Sequence, residues 1–301
     1  MAHTHQSLIA SLSPGQRRDL SALSDRAGLV HLAGHGGAVA AVGALILLEA
    51  PFQPALLLIQ GILVIFLFTT LHETIHRTAF ESPWLNRAVA AVCALLVFLP
   101  PVWFRYFHFD HHRFTNDPAN DPELATAKPA TWAQYLFYLT GLAVWRFQLR
   151  ALLVNAAGGN EDSFVPDKGK PRVAAEARLY LAAYAGLAAG SVALASDALL
   201  WVWLIPVLLG QPFLRAYLLA EHWGCPEVGN MLENSRTTMT SALVRFITWN
   251  MPYHVEHHVM PSAPFHKLAD LHIHTRPHLT VSENGFLRFH RKLAASLSRK
   301  E

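Results

Sequence analysis

Four apolar runs constrain what this 301-residue chain can become. "AVAAVGALILLEA" (38–50), "ALLLIQGILVIFLFTT" (55–70), "LYLAAYAGLAAGSVALA" (179–195) and "ALLWVWLIPVLLG" (198–210) leave almost no room for charge. The first three extend to about 18–20 residues, the length that crosses a bilayer core as a helix. The fourth gets there by continuing through "QPFLRAYLLA", which admits one arginine, Arg215. Composition agrees, with 52% of residues hydrophobic and only 15% charged, lean for a water-soluble domain. The expected fold class is all-α, an integral membrane protein.

The runs pair into hairpins. A break at "APFQP" separates the first two, and the turn carries Glu49 but no Lys or Arg. Arg17, Arg18 and Arg26 precede the pair, and Arg77 and Arg87 follow it, so the positive-inside rule puts both outer ends in the cytoplasm. The second pair, 177–195 and 198–219, turns at "ASD" between Lys168, Lys170 and Arg172 on one side and Arg236 and Arg245 on the other. The expectation is four spans in one domain over 1–301, with both termini cytoplasmic. A cytoplasmic N-terminal segment (1–28) leads into a first hairpin (29–71) and a cytoplasmic and interfacial region (72–175). A second hairpin (176–220) and a cytoplasmic histidine-rich cap (221–301) follow. Two marginal apolar stretches, 88–104 and 132–147, are expected as re-entrant or interfacial helices, the first broken by Pro100-Pro101. If either crossed alone, the histidine clusters would face opposite sides of the membrane.

The N-terminus lacks an apolar core followed by a small-residue cleavage site, so no cleaved signal is expected. Cys93 and Cys225 make neither a disulfide framework nor a four-thiolate site. A net charge of +3 is too small to suggest a nucleic-acid partner. It suits loops facing anionic lipid or an acidic electron carrier.

Among 18 histidines three groups stand out: "HETIH" (His72, His76), "HFDHH" (His108, His111, His112) and "HVEHH" (His254, His257, His258). Residues at i, i+3 and i+4 share a helix face, so each group is expected to aim its imidazoles at a common point. Eight such ligands exceed what one tetrahedral zinc uses and suit two ions with room for an exogenous ligand. Imidazole accepts iron, copper, zinc or nickel, so residue type alone leaves the metal open. His3, His5, His31 and His35 read as ordinary structural or surface histidines. So do His266, His272, His274, His278 and His290, although their density leaves one or two open to a supporting role. "HETIH" also matches the H-E-x-x-H pattern of zinc proteases, with Glu73 as general base, but that reading leaves two clusters unexplained.

The three clusters, their order and their place beside two hairpins resemble the membrane fatty acid desaturase family, together with its related hydroxylases. The similarity runs from about Leu71 to His272 and includes "HRTAF", "RFTNDPANDPE", "WNMPYHVEHH" and "PSAPFHKLADLH". It implies a non-haem di-iron centre on the cytoplasmic side, held by the eight histidines, with zinc as a substitute on overexpression. It also implies a ninth ligand after the last span, His222 in "AEHWG", a segment that resembles a box of membrane alkane hydroxylases as well. Where some desaturases place an asparagine one turn earlier to hold a metal-bound water, this chain has Leu218; Asn250 or Glu221 are the candidates to substitute.

An unactivated C–H bond has no acidic proton, so general bases are useless against it and a metal must activate dioxygen. The in-box acids Glu73, Asp110 and Glu256, with Asp117 and Asp121 downstream, are candidates to support the ligands by accepting the second ring N–H. The expected substrate is a fatty-acyl or similar lipid chain, either desaturated or hydroxylated, in an apolar slot. Trp103, Phe104, Tyr106, Trp201, Trp203, Tyr217 and Trp249 are its candidate walls. No haem segment or cysteine set is fused, so electrons are expected from a separate ferredoxin, rubredoxin or cytochrome b5 type donor. Arg105, Arg113, Arg236 and Arg245 are its candidate docking residues.

Overall fold

The structure, a computed structural model, describes residues 4–298. His3 lies outside the described residues. The chain is 72% helical, which agrees with an all-α reading apart from one short parallel ladder pairing Thr237–Met239 with Ser282–Asn284.

Three helical segments are long and apolar enough to cross a membrane: Pro14–Leu47, Gln53–His76 and Leu200–His222. They coincide with three of the four expected spans. The fourth, 177–195, falls in the helix Lys170–Ala193 except for its last two residues, and that helix does not reach the same mean apolarity. Its residues are mainly Ala and Gly rather than Leu and Ile, and Glu176 and Arg178 sit at its start. A fourth candidate arises instead from Pro83–Val97 and Pro101–Phe114, which pass together but bend by 93°. Phe98 at φ +59° and the proline pair make that bend. Such a bent pair has the form of a broken span or of a re-entrant element.

The core of the bundle is the crossing of Gln53–Ile65 with Ile205–His222. Gly61 and Gly210 meet there so closely that a Cβ on either would collide with the other helix's backbone, at Pro206 O and Gly61 O respectively. Small residues that let backbones approach are the usual means of packing helices where lipid removes the hydrophobic drive. From this crossing the two helices run in the same direction for about three turns, one to His72 and the other to His222.

The histidine-bearing helix Pro101–Phe114 is held by its neighbours. Proline stands at its first position, where no N–H is missed. The carboxylate of Glu176, from Lys170–Ala193, accepts from the Val102 N–H at 2.9 Å and the Trp103 N–H at 3.3 Å. A carboxylate at a helix N-terminus satisfies orphan donors and faces the positive end of the dipole. The N-terminal helices His5–Ser11 and Pro14–Leu20 cover the other side, with Leu8 on Val255 and Val259 and with Leu12 and Leu20 in the cluster of Leu268 and Leu271.

Candidate metal centre

All nine histidines singled out in the sequence gather at one end of this bundle, but not box by box. One group holds His72, His76, His108, His112 and His257; the other holds His111, His222, His254 and His258. Within each group one donor atom per ring lies within 4.8 Å of all the others. The expectation that each box converges on one point is corrected. In "HFDHH" the i, i+4 pair His108 and His112 goes to the first group while His111 turns to the second. In "HVEHH" the pair His254 and His258 goes to the second group while His257 turns to the first. Adjacent helical residues are about 100° apart, so the third histidine of such a box cannot share its neighbour's target. Boxes two and three therefore each span both groups while both histidines of box one go to the first, and the His112 and His258 rings stack between the groups at 4.3 Å.

The donor set fits metal ions. Nε2 atoms approach one another at 2.9 Å (His108 and His112), 2.9 Å (His112 and His257), 2.8 Å (His222 and His254) and 3.0 Å (His254 and His258). Two imidazole nitrogens bound at right angles to one first-row ion, each ~2.1 Å from it, stand about 3 Å apart. The rings of His254, His257 and His258, beyond the spans, are held well below the usual imidazole pKa, first by burial and then by neighbouring imidazoles. Neutral imidazole is the form that ligates.

The two groups differ in what stands behind them. In the four-histidine group, His111 Nδ1–H donates to Asp121 at 2.9 Å and His222 Nδ1–H donates to the Asn234 carbonyl at 3.1 Å. His258 Nδ1–H donates to the Thr115 hydroxyl at 3.2 Å, and that hydroxyl donates to the His111 carbonyl. His254 Nδ1 lies 3.4 Å from Glu221 without a hydrogen bond to it. In the five-histidine group the Nδ1 atoms of His72, His112 and His257 are buried without a hydrogen-bond partner among the described residues.

Asp121 thus stands against a ring N–H, as a supporting acid would, and Glu221 lies beside His254. The other candidates stand elsewhere. Glu73 accepts from Thr78 Oγ1 at 2.9 Å and the Phe265 N–H at 3.1 Å, which ties box one to the tail. Glu256 is wholly buried and accepts from His272 Nδ1 at 2.7 Å and from the Thr275 and Thr237 hydroxyls, which ties box three to two segments. Asp117 accepts from Ala119 N–H and Asn120 within its own turn. Asn250 donates to the Phe265 carbonyl, and Asp110 is half-buried. Thr115, Asn234 and Glu123, whose carboxylate is 3.8 Å from His111 Nδ1, carried no signal in the sequence beyond lying near a box. His272 is the tail histidine that acquires a supporting part.

A cavity of about 250 Å³ opens onto both groups, touching His72, His108, His111, His222 and His254. Trp103 and Phe104 line it as expected, joined by Phe68, Phe107, Phe147 and Trp223. Tyr106, Trp201, Trp203, Tyr217 and Trp249 do not; Trp203 stacks on Phe98 and Trp249 packs on Phe265. Of the four docking arginines, Arg236 is buried, donating to the Ala220 and Trp223 carbonyls, and so offers no surface to a partner. Arg105 lies over Phe109 and Arg245 donates to the Thr240 carbonyl, while Arg113 is exposed.

Comparison with known proteins places this geometry. The family model described as "Fatty acid desaturase" matches residues 49–290. A sphingolipid delta(4)-desaturase of Drosophila melanogaster is 24% identical over 221 residues, 70% of this chain and 62% of that protein. A sphingolipid delta(4)-desaturase/C4-monooxygenase of Bos taurus is 30% identical over 201 residues, 64% of this chain and 56% of that protein. The chain thus spans roughly three-fifths of the length of the curated relatives it matches. The family match covers most of the sequence and includes all nine histidines, so the chain belongs to the fatty acid desaturase family.

Proposed function

We propose that this chain is a membrane oxidoreductase in which the nine histidines hold two iron ions and a fatty-acyl or lipid-like chain is desaturated with dioxygen. Four spans, with the histidine boxes and both termini in the cytoplasm, complete the reading. The observation that carries it is the convergence of nine buried imidazoles into two groups beside one largely aromatic cavity. The iron pair would supply activation of dioxygen and abstraction of hydrogen from an unactivated C–H bond. The chain's own residues do the rest. Asp121, the Asn234 carbonyl and Thr115 fix the tautomers of His111, His222 and His258 so that Nε2 faces inward. Phe68, Trp103, Phe104 and Phe107 shut out water and hold an alkyl segment against His72 and His108.

Electron balance requires a partner. Reducing dioxygen to two waters takes four electrons; desaturation draws two from the substrate, and a separate donor protein supplies two. Hydroxylation on the same site uses the same two external electrons and leaves one oxygen atom in the product. That second reading is favoured by the Bos taurus relative, whose name joins both activities. Mass spectrometry of products formed by iron-loaded, reduced protein under ¹⁸O₂ separates the two: loss of two hydrogens without label for desaturation, gain of one labelled oxygen for hydroxylation. Absence of both products from every lipid pool would remove the proposal.

A further inference from the structure

The spans carry few charges, and one of them makes no hydrogen bond or close ion pair among the described residues. Arg215 sits inside the helix Ile205–His222, within a segment apolar enough to cross the membrane. An ionisable group in such a segment is costly and normally marks a binding or transport site. Its Nε is buried with no hydrogen-bond partner, and none of its guanidinium nitrogens forms an ion pair or hydrogen bond with a described residue. The cavity acids Glu123 and Glu221 act on it through space without closing an ion pair; they stand 3.8 Å from His111 Nδ1 and 3.4 Å from His254 Nδ1.

The helix register says where this guanidinium stands. Arg215, Leu218, Leu219 and His222 follow the i, i+3, i+4, i+7 spacing, and all four line the cavity. Arg215 is therefore on the same face as His222 and about 10 Å farther along the axis. The polar part of the wall also holds Glu123, Lys128, Tyr138, Glu221 and Gln148, whose Oε1 lacks a partner; the rest of the lining is largely aromatic and aliphatic. A guanidinium has five N–H donors and no acceptor, so only an oxygen-bearing acceptor satisfies it, and a planar one fits its fork best.

We propose that Arg215 is a substrate-binding residue that holds the acyl oxygen of the lipid, a carboxylate or an amide carbonyl, and so sets which carbon lies beside the histidine groups. This rests on the oxidoreductase reading for its meaning, but its test does not need turnover. Dodecanoate, dodecanamide and dodecane present one chain length with a charged, a neutral and no acceptor. Their apparent affinities for purified, metal-loaded protein in one detergent are read from the concentration dependence of its unfolding midpoint. In the wild type both oxygenated probes are expected to bind more tightly than dodecane. In R215L the advantage of at least one should fall by about tenfold or more while dodecane stays within about twofold. Loss for dodecanoate alone assigns a carboxylate, and loss for both assigns the acyl oxygen in general. R215K, which keeps the charge and loses the fork, should fall between and serves if R215L does not accumulate. Unchanged selectivity in these variants would overturn the assignment, with dodecanoate then meeting the metal or Lys128 instead. Equal loss for all three probes would overturn it too, as the mark of a purely structural arginine. A protein that passes this test yet oxidises no lipid would refute the catalytic reading and not the binding site.

Discussion

His254, His257 and His258 lie within two helical turns, yet they serve two destinations, and the difference is one of angle rather than residue type. What stands behind each ring is equally particular. Asp121 holds His111, while Asp117, four residues away, caps only its own turn. Asp121→Asn is therefore expected to weaken metal retention by about 10–100-fold, the usual effect of losing such a support. Asp117→Asn should leave it unchanged; metal analysis after dialysis against a chelator checks both. Glu73→Gln tests the protease-like motif. It should cost about 1–3 kcal/mol of stability by weakening the clamp on Thr78 and Phe265, while the bound metal stays in place. Loss of metal at unchanged thermal stability would contradict that assignment. At this scale the clustered histidines were legible because such spacing rarely occurs by chance. Their partners were not: Asn234 acts through a backbone carbonyl and Thr115 through a hydroxyl, neither of which leaves a pattern in sequence.

The helices were legible where composition decides and less so where a neighbour decides. Gln53–His76 and Leu200–His222 follow from apolar runs alone. The helix Lys170–Ala193 needs its tertiary part to be understood, since Glu176 is retained at the start of an apolar stretch to cap the histidine-bearing helix. Glu176→Ala is expected to cost about 1 kcal/mol or somewhat more, as cap losses do, and to loosen box two before the rest of the bundle. Hydrogen exchange at Val102 and Trp103 would report it. The Gly61 and Gly210 crossing likewise shows no periodic signature, because what matters is the backbone each glycine meets in another helix. Gly61→Ala should destabilise the fold by about 1–3 kcal/mol through overpacking and displace His72 relative to His222. Thermal unfolding with metal counting would show both effects together.

Across the whole molecule, two helical spans, a bent helix pair and a short box-three helix bring their histidines to one end of a bundle whose other contents are apolar. That arrangement ties stability to protons. His254, His257 and His258 are held neutral by burial, so the unfolded chain binds more protons than the folded one once pH drops below its ordinary value near 6.5. Stability is then fully present above that pH and declines below it, by up to about 1.4 kcal/mol per pH unit for each such ring. Unfolding midpoints of metal-free protein should fall steadily from pH 7 to pH 5.5, and a flat profile would contradict the burial. The central claim, that this histidine cage oxidises a lipid chain, is met most directly by mass spectrometry of lipids from cells making the wild type or His257→Ala. The account predicts species lighter by two hydrogens or heavier by one oxygen, present with the wild type and missing with the variant. Identical lipid profiles, with the wild-type protein purified from the same cells carrying iron, would contradict it.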